Sequence, residues 1–197
     1  MPAELLDQSF YARCPKTVAR ELLGKVIVST IGAQRSAGIV VETEAYLAKE
    51  DPACHGYRGQ TPGNSTMFGP AGRAYVYPIH AKYCFNTVTQ DTGQPSAVLI
   101  RALEPIEGLA VMKRRRQKTQ QLDLCSGPAK LCQALGIDGS IDGFDLTRRR
   151  QVWLQADDRL QPTIKTTVRI GVTSGEDLPL RFVIAKSPFA SGPKYLR

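Results

Sequence analysis

Histidine is nearly missing from this chain, with two among 197 residues. The five cysteines form no C-x-x-C pair, and Cys125 and Cys132 stand seven apart, so a zinc site has little to be built from. The H-x-E with P-C-x-x-C pattern of zinc deaminases is absent too. An odd cysteine count argues against a disulfide framework, and buried free thiols are the expectation. No apolar run approaches the roughly 20 residues that a membrane helix needs. The N-terminus, MPAELLDQSF, is acidic where a secretory signal is basic, and no apolar h-region follows, which points to a cytoplasmic protein without a membrane partner. There is no internal repeat, low-complexity tract or dividing linker, so residues 1–197 read as a single domain.

What the chain does hold is positive charge and one dense stretch of reactive side chains. Twenty-six Lys and Arg against eighteen Asp and Glu leave a net charge of +8, a balance that favours polyanions, nucleic acid first. Hydrophobic residues make up 42% of the chain, enough for a sizeable core. Residues 40–86 contain both histidines, five of the seven tyrosines and the spaced pair Glu42 and Glu44. Residues 39–46 read as a strand, being β-branched at Ile39, Val40, Val41 and Thr43 with glycine upstream. Alternation then places Glu42, Glu44 and Tyr46 on one face, with the carboxylates roughly 7 Å apart. Glutamate is depleted in strands. Either this face is solvated with Tyr46 over its edge, or a carboxylate sits in a concave site with a raised pKa and works as a general base.

The rest of the chain arranges itself around that strand. Residues 15–23 form an amphipathic helix with Pro15 in its first turn and Gly24 as its stop. Residues 25–31 and 35–46 pair as a hairpin across Gly32-Ala33. Residues 47–72 make a long ordered loop with a helical turn near 49–54; it carries His55, and loops of that length in compact domains are usually functional. Residues 74–79 and 83–88 are two strands joined over His80-Ala81-Lys82, a tip with a ring to wedge and a cation for phosphate. Residues 96–103 are a strand with Arg101 near its end. Residues 105–117 are a helix ending in the basic run Lys113-Arg114-Arg115-Arg116, which the helix macrodipole favours. Another helix opens after Leu124 and closes at Gly136, with Ser126 or Gly127 as its cap and Pro128 in its first turn. The free amides at its start, with Lys130 beside them, make a natural anion site. Residues 151–155 read as a short strand or turn around Trp153, and residues 168–172 and 180–184 as closing strands.

VVETEAYL, the E-D-x-A-x-H after it, QTPGNSTMFGPAGRAYVY, YCFN, VLIRALEP, LCSGPAKLCQALGI and PLRF, in this order, resemble the alkyladenine (3-methyladenine) DNA glycosylases. The likeness is collinear over residues 19–188. It implies a mixed α/β (α+β) fold, one domain around a curved, largely antiparallel sheet with a protruding β-hairpin. It implies that the hairpin enters the minor groove of double-stranded DNA and that a damaged purine is flipped into a pocket. There the N-glycosidic bond of the alkylated or deaminated purine is hydrolysed without a metal, a cofactor or a covalent enzyme intermediate, leaving an abasic site. Carried over by motif, Glu44 is the general base that activates water. Tyr46, His55 and Tyr77 line the pocket, and Asn86 guards its edge. Arg101 holds the backbone near the flipped nucleotide, and His80 stands where the family has a tyrosine wedge. By the same analogy the protein is a monomer, associated with the nucleoid if bacterial. It departs from the family at His80-Ala81, where tyrosine-glycine is more usual, and at Gly63, where TPRN has an arginine. Both departures imply a looser grip on duplex DNA.

Residue chemistry agrees with the likeness. A base inside a duplex is unreachable and must be extruded, at a cost of a few kcal/mol. Stacking on aromatic side chains returns about 1–3 kcal/mol per base, and Tyr46, Tyr77 and His55 supply such faces. A cationic alkylated purine is already a good leaving group, so a single carboxylate beside the oxocarbenium-like transition state suffices. A lyase step needs a desolvated amine nucleophile, and nothing marks Lys82 or Lys49 as one, so a monofunctional glycosylase is expected. The alternatives are a non-catalytic binder of alkylated or distorted DNA with the same fold, and a hydrolase of small nucleosides whose charge is incidental.

Overall fold

The computed structural model describes residues 3–157 and 161–192; the domain expected over 1–197 extends beyond them at both ends. Among the described residues, eight strands form one sheet: β1 (Val26–Ser29), β2 (Ser36–Tyr46), β3 (Ala74–Ile79), β4 (Lys82–Thr89), β5 (Ser96–Glu107), β6 (Val152–Gln155), β7 (Ile164–Thr167) and β8 (Arg181–Ile184). Their order is β3-β4-β5-β2-β1-β6, with β8 pairing β2 and β7 pairing β8. Every one of these pairings is antiparallel. The fold is therefore a mixed α/β one around a curled antiparallel sheet, as the likeness implied. The helices are α1 (Gln8–Tyr11), α2 (Pro15–Leu22), α3 (Leu109–Arg116) and α4 (Pro128–Leu135).

β2 is the hub. One of its edges takes β5 along most of its length, while the other takes β1 at residues 36–39 and β8 at residues 42–44. The register against β5 slips three times, once at Ala37/Gly38 and twice in the middle, where Val40 pairs Leu103, Glu42 pairs Ala102 and Thr43 pairs Ile100. Val41 is thus an extra residue on β2 and Arg101 an extra one on β5. Bulges of this kind re-aim side chains and gather next to active sites. Here the bulge turns the strand's faces over. Val40 and Ala45 belong to the same core cluster as Ala19, and the Thr43 hydroxyl donates to the Ala19 carbonyl at 2.8 Å. Glu42 and Glu44 consequently face away from α2.

The main core is built where α2, α3 and α4 cover the sheet. Val18, Ala19 and Leu22 of α2 pack with Leu131, Ala134 and Leu135 of α4 and Met112 of α3, and each large side chain so buried contributes about 1.5–3 kcal/mol. The basic end of α3 is tied into this layer. Arg115 donates to the Ala134 and Ile31 carbonyls and Arg116 to the Leu124 carbonyl, so these two cations tie α3 to α4 and the neighbouring loops.

Three elements differ from the sequence reading. β5 runs on through Pro105, and the helix begins only at Leu109. β4 pairs β5 only at residues 96–99, so Pro105 lies where that edge needs no ladder donor. Residues 168–172 are not a strand. The Ile170 amide donates to the Glu44 carboxylate instead of to a ladder partner. In the 47–72 loop the helical segment is a 3-10 stretch, Pro62–Phe68, held by a reciprocal Thr61–Asn64 capping box, while residues 51–54 form only a turn.

The β3–β4 hairpin turns over His80 and Ala81, both at positive φ (45° and 59°), a tighter tip than the three residues read from sequence. Asn-Gly is the usual pair in such a two-residue turn, and side chains other than glycine are strained there. Ala81→Gly should therefore raise stability by about 1 kcal/mol; chemical denaturation checks this, and no gain would mean that the turn is unstrained.

Candidate active site

Four of the expected pocket residues line one slot. Tyr46 at the end of β2, His55 in the loop, Tyr77 on β3 and Asn86 on β4 surround it together with Met67, Tyr75 and Ala97. Tyr75 and Tyr77 sit two apart on β3, so both rings reach the same face. The His55 ring stands 4.5 Å from Tyr77 and 6.1 Å from Tyr75, edge-on in both cases. Its Nδ1 lies 2.8 Å from the Tyr75 hydroxyl, and burial lowers its pKa below the usual imidazole range. A neutral ring at physiological pH can stack on a cationic purine without repelling it. Gly56 lets this loop approach the sheet, since a Cβ there would meet Pro95 at 2.3 Å.

The slot encloses about 20 Å³, close to the space that one water requires and far short of a purine. Three of its walls are in ring contact: His55, Tyr75 and Tyr77.

Glu44 lies directly beneath. It is wholly buried at 0% exposure, and it meets the slot through Tyr46, whose hydroxyl donates to Oε2 at 3.0 Å. Arg101 Nη1 donates to the same oxygen at 3.1 Å, and the Ile170 amide donates to Oε1 at 2.8 Å. A carboxylate offers about four lone-pair sites, two per oxygen, so these contacts leave one acceptor position on Oε1. The solvated-face reading of this strand is thereby excluded: Glu42, too, has no exposed surface.

Behind Glu44 lies a charge-balanced layer that the sequence reading missed. Glu42 accepts from Arg101 Nε at 2.9 Å, Arg181 Nε at 2.7 Å and the Ser191 amide at 2.5 Å. Burial alone would push its carboxyl up, but Arg101, Arg181 and the Ser191 amide more than offset this and hold it below the usual carboxylate range. Asp51 grips Arg169 through two bonds of 2.6 and 2.7 Å, with neither side chain exposed. Three carboxylates thus face three guanidiniums. A signal existed in the chain: Arg169 stands between Val168 and Ile170, and Arg181 between Leu180 and Phe182. Arginine in an apolar run marks a paired, buried cation.

Arg101, expected to hold the backbone near a flipped nucleotide, is 7% exposed and hydrogen-bonds both Glu42 and Glu44. His80 and Lys82 do project at the exposed hairpin tip, beside the exposed apolar Ile79. Gly127 caps α4, and Ser126 and Lys130 gather at the same end, the Lys130 ammonium 3.3 Å from the Ser126 hydroxyl; none of the three lines the slot. Cys54, Cys84, Cys125 and Cys132 are buried as expected, but Cys14 is exposed. Burial pushes the Cys54 thiol up to about 11, which makes it a poor nucleophile. No helix among the described residues is long and apolar enough to cross a membrane.

The methylpurine-DNA glycosylase (MPG) family profile matches residues 9–188. A protein of Methanoculleus marisnigri is 47% identical over 190 residues, covering 94% of this chain and 98% of its own length. One from Carboxydothermus hydrogenoformans is 44% identical over 189 residues, covering 95% and 98%, and one from Burkholderia cenocepacia is 42% identical over 195 residues, covering 97% and 93%. All three carry the name "Putative 3-methyladenine DNA glycosylase".

Proposed function

The chain belongs to the methylpurine-DNA glycosylase family, and from that premise we propose that it flips a damaged purine into the slot above Glu44 and cleaves its N-glycosidic bond with a water that Glu44 directs. At the level of reaction class it is a monofunctional DNA N-glycosylase, a hydrolase of base excision repair acting on alkylated purines in DNA.

The observation that carries the finer reading is the unfilled acceptor position on Glu44 Oε1 beneath an aromatic slot. A water held there has its proton acceptor fixed on one side, and the sugar of a base seated among Tyr46, His55 and Tyr77 approaches from the other. As the N-glycosidic bond lengthens, positive charge builds on the sugar and the carboxylate stabilises it, most strongly where water is excluded. Arg101, hydrogen-bonded to both Glu42 and Glu44, keeps the carboxylate from turning. Tyr46 has two tasks: its ring is a wall of the slot, and its hydroxyl keeps Oε2 engaged so that Oε1 remains the acceptor for water. The same arrangement supports a monofunctional enzyme, because no amine lies among the residues lining the slot.

At the DNA surface, His80 and Ile79 are the groups that would fill the gap left by an extruded nucleotide, with Lys82 for a phosphate. Replacing His80 with tyrosine enlarges the stacking face and should tighten binding to a lesion-bearing duplex severalfold, a gain that fluorescence anisotropy would detect. Unchanged or weaker binding would show that the tip does not enter the stack. The reading as a whole is tested by incubating the protein with methylated duplex DNA and measuring free base; binding without release favours a non-catalytic lesion binder.

A further inference from the structure

Tyr46 is held from behind by a cation. The Arg169 guanidinium carbon lies 4.7 Å from the centre of its ring, while Arg169 is not among the residues that line the slot. Arg169 therefore covers a face of Tyr46 that the slot does not use. The rest of the guanidinium is fixed: Nη1 and Nη2 bond Asp51, and Nη1 also donates to the Ala45 carbonyl at 3.1 Å. Buried Nε finds no hydrogen-bond acceptor among the described residues. An orphaned buried donor is rare, and the π-face of Tyr46 is the partner left to it. Asp51 in turn accepts from the Leu47 amide at 3.0 Å, so the ion pair is locked to the end of β2, and its positive end is turned to the ring.

A ring attracts a cation through the negative charge above its face. A cation on one face draws that charge toward itself and adds its own field, so a second cation on the other face is held less well. A neutral purine stacks on the same face without this penalty.

We propose that Arg169 is a specificity-determining residue: by backing Tyr46 it lowers the slot's preference for purines carrying a fixed positive charge and so keeps neutral damaged purines within its range. This rests on the base-slot reading above. Arg169 touches neither base nor sugar; it acts through Tyr46.

The test is the ratio of kcat/KM for base release from duplexes carrying 7-methylguanine, a cation, to that from duplexes carrying hypoxanthine, a neutral purine. The different leaving-group abilities of the two bases cancel when the ratio is compared between variants. Asp51→Asn with Arg169→Gln replaces the ion pair by a neutral amide pair that keeps hydrogen bonds, and it should raise the cationic-to-neutral ratio about two- to fivefold. Asp51→Asn alone leaves the cation less neutralised and should lower the ratio. Arg169→Lys keeps a charge behind the ring and should hold the ratio within about twofold while slowing release of both bases. A purely structural role for Arg169 would slow both substrates together in every variant and leave the ratio flat, which overturns the proposal, as does a ratio that falls in the neutral pair. Should the neutral pair not fold, a ratio that rises or stays flat in Asp51→Asn overturns it equally. Failure of the wild-type protein to release either base would instead overturn the slot reading.

Discussion

Replacing Glu42 with alanine is expected to destabilise the protein by about 3–5 kcal/mol, the usual cost of removing one partner from a buried ion cluster. The reason is what is left behind. Arg181 has no exposed surface and pairs with Glu42 at 2.7 Å, while the Ser191 amide and hydroxyl both donate to Glu42. Arg101 retains Glu44 but loses the bond that aligns its Nε. For a chain of this length the change corresponds to a melting point lower by about 10 °C, which calorimetry or a thermal melt would show. Because the folded-state pKa of Glu42 is depressed, its contribution is fully present above the ordinary glutamate pKa of about 4.3 and fades as pH falls through the lower folded value. The wild type should therefore lose stability on acidification below about pH 4.3, and the variant should show a shallower loss over that window. A variant as stable as the wild type at neutral pH would mean that the buried cluster is not fully ionised.

The second large effect is at Glu44. Glu44→Gln should reduce base release by about a thousandfold or more, combining loss of the proton acceptor with loss of the charge that faces the sugar. DNA binding should change little, since the side chain has no exposed surface. The variant will also melt somewhat lower, because an amide cannot serve all three donors. With its oxygen toward Arg101 and Tyr46, its nitrogen opposes the Ile170 amide; reversed, it opposes Arg101. A donor facing a donor in a buried site costs about 1–3 kcal/mol. The two glutamates thus separate by readout: Glu42 governs chiefly stability, and Glu44 chiefly turnover.

Much of this site was visible in the chain before any coordinates. Glu44 and Tyr46 are two apart on a strand, and Tyr77 and Asn86 lie on a hairpin whose alternation shows their facing. His55 sits in a loop too long to be a mere connection. Alternation groups those residues on shared faces, but the family motifs singled them out, and spacing alone does not choose Glu44 over Glu42. The layer behind them depends on pairing across great separations: Arg169 meets Asp51 across 118 residues and Arg181 meets Glu42 across 139. Periodicity carries no information about such partners. It also misled at residues 168–172, where an apolar alternation that suits a strand instead seats one arginine and lends one amide to Glu44. The Val41 bulge was equally hidden. Strict alternation would put Val40 beside Glu42, yet the extra residue sends Val40 to the core and Glu42 to the buried ion cluster. The narrowness of the slot follows from how the His55 ring packs on Tyr75 and Tyr77, which no local pattern encodes.

Extrusion and bond cleavage can be watched in one sample: a duplex with 2-aminopurine beside a purine lesion, mixed with excess protein under single-turnover conditions, with fluorescence followed for unstacking and free base measured by quench. The account predicts a fluorescence rise of equal size for the wild type and Glu44→Gln, followed by base release in the wild type alone. Release by the variant within tenfold of the wild-type rate would contradict it, because the water would then be activated by some other group.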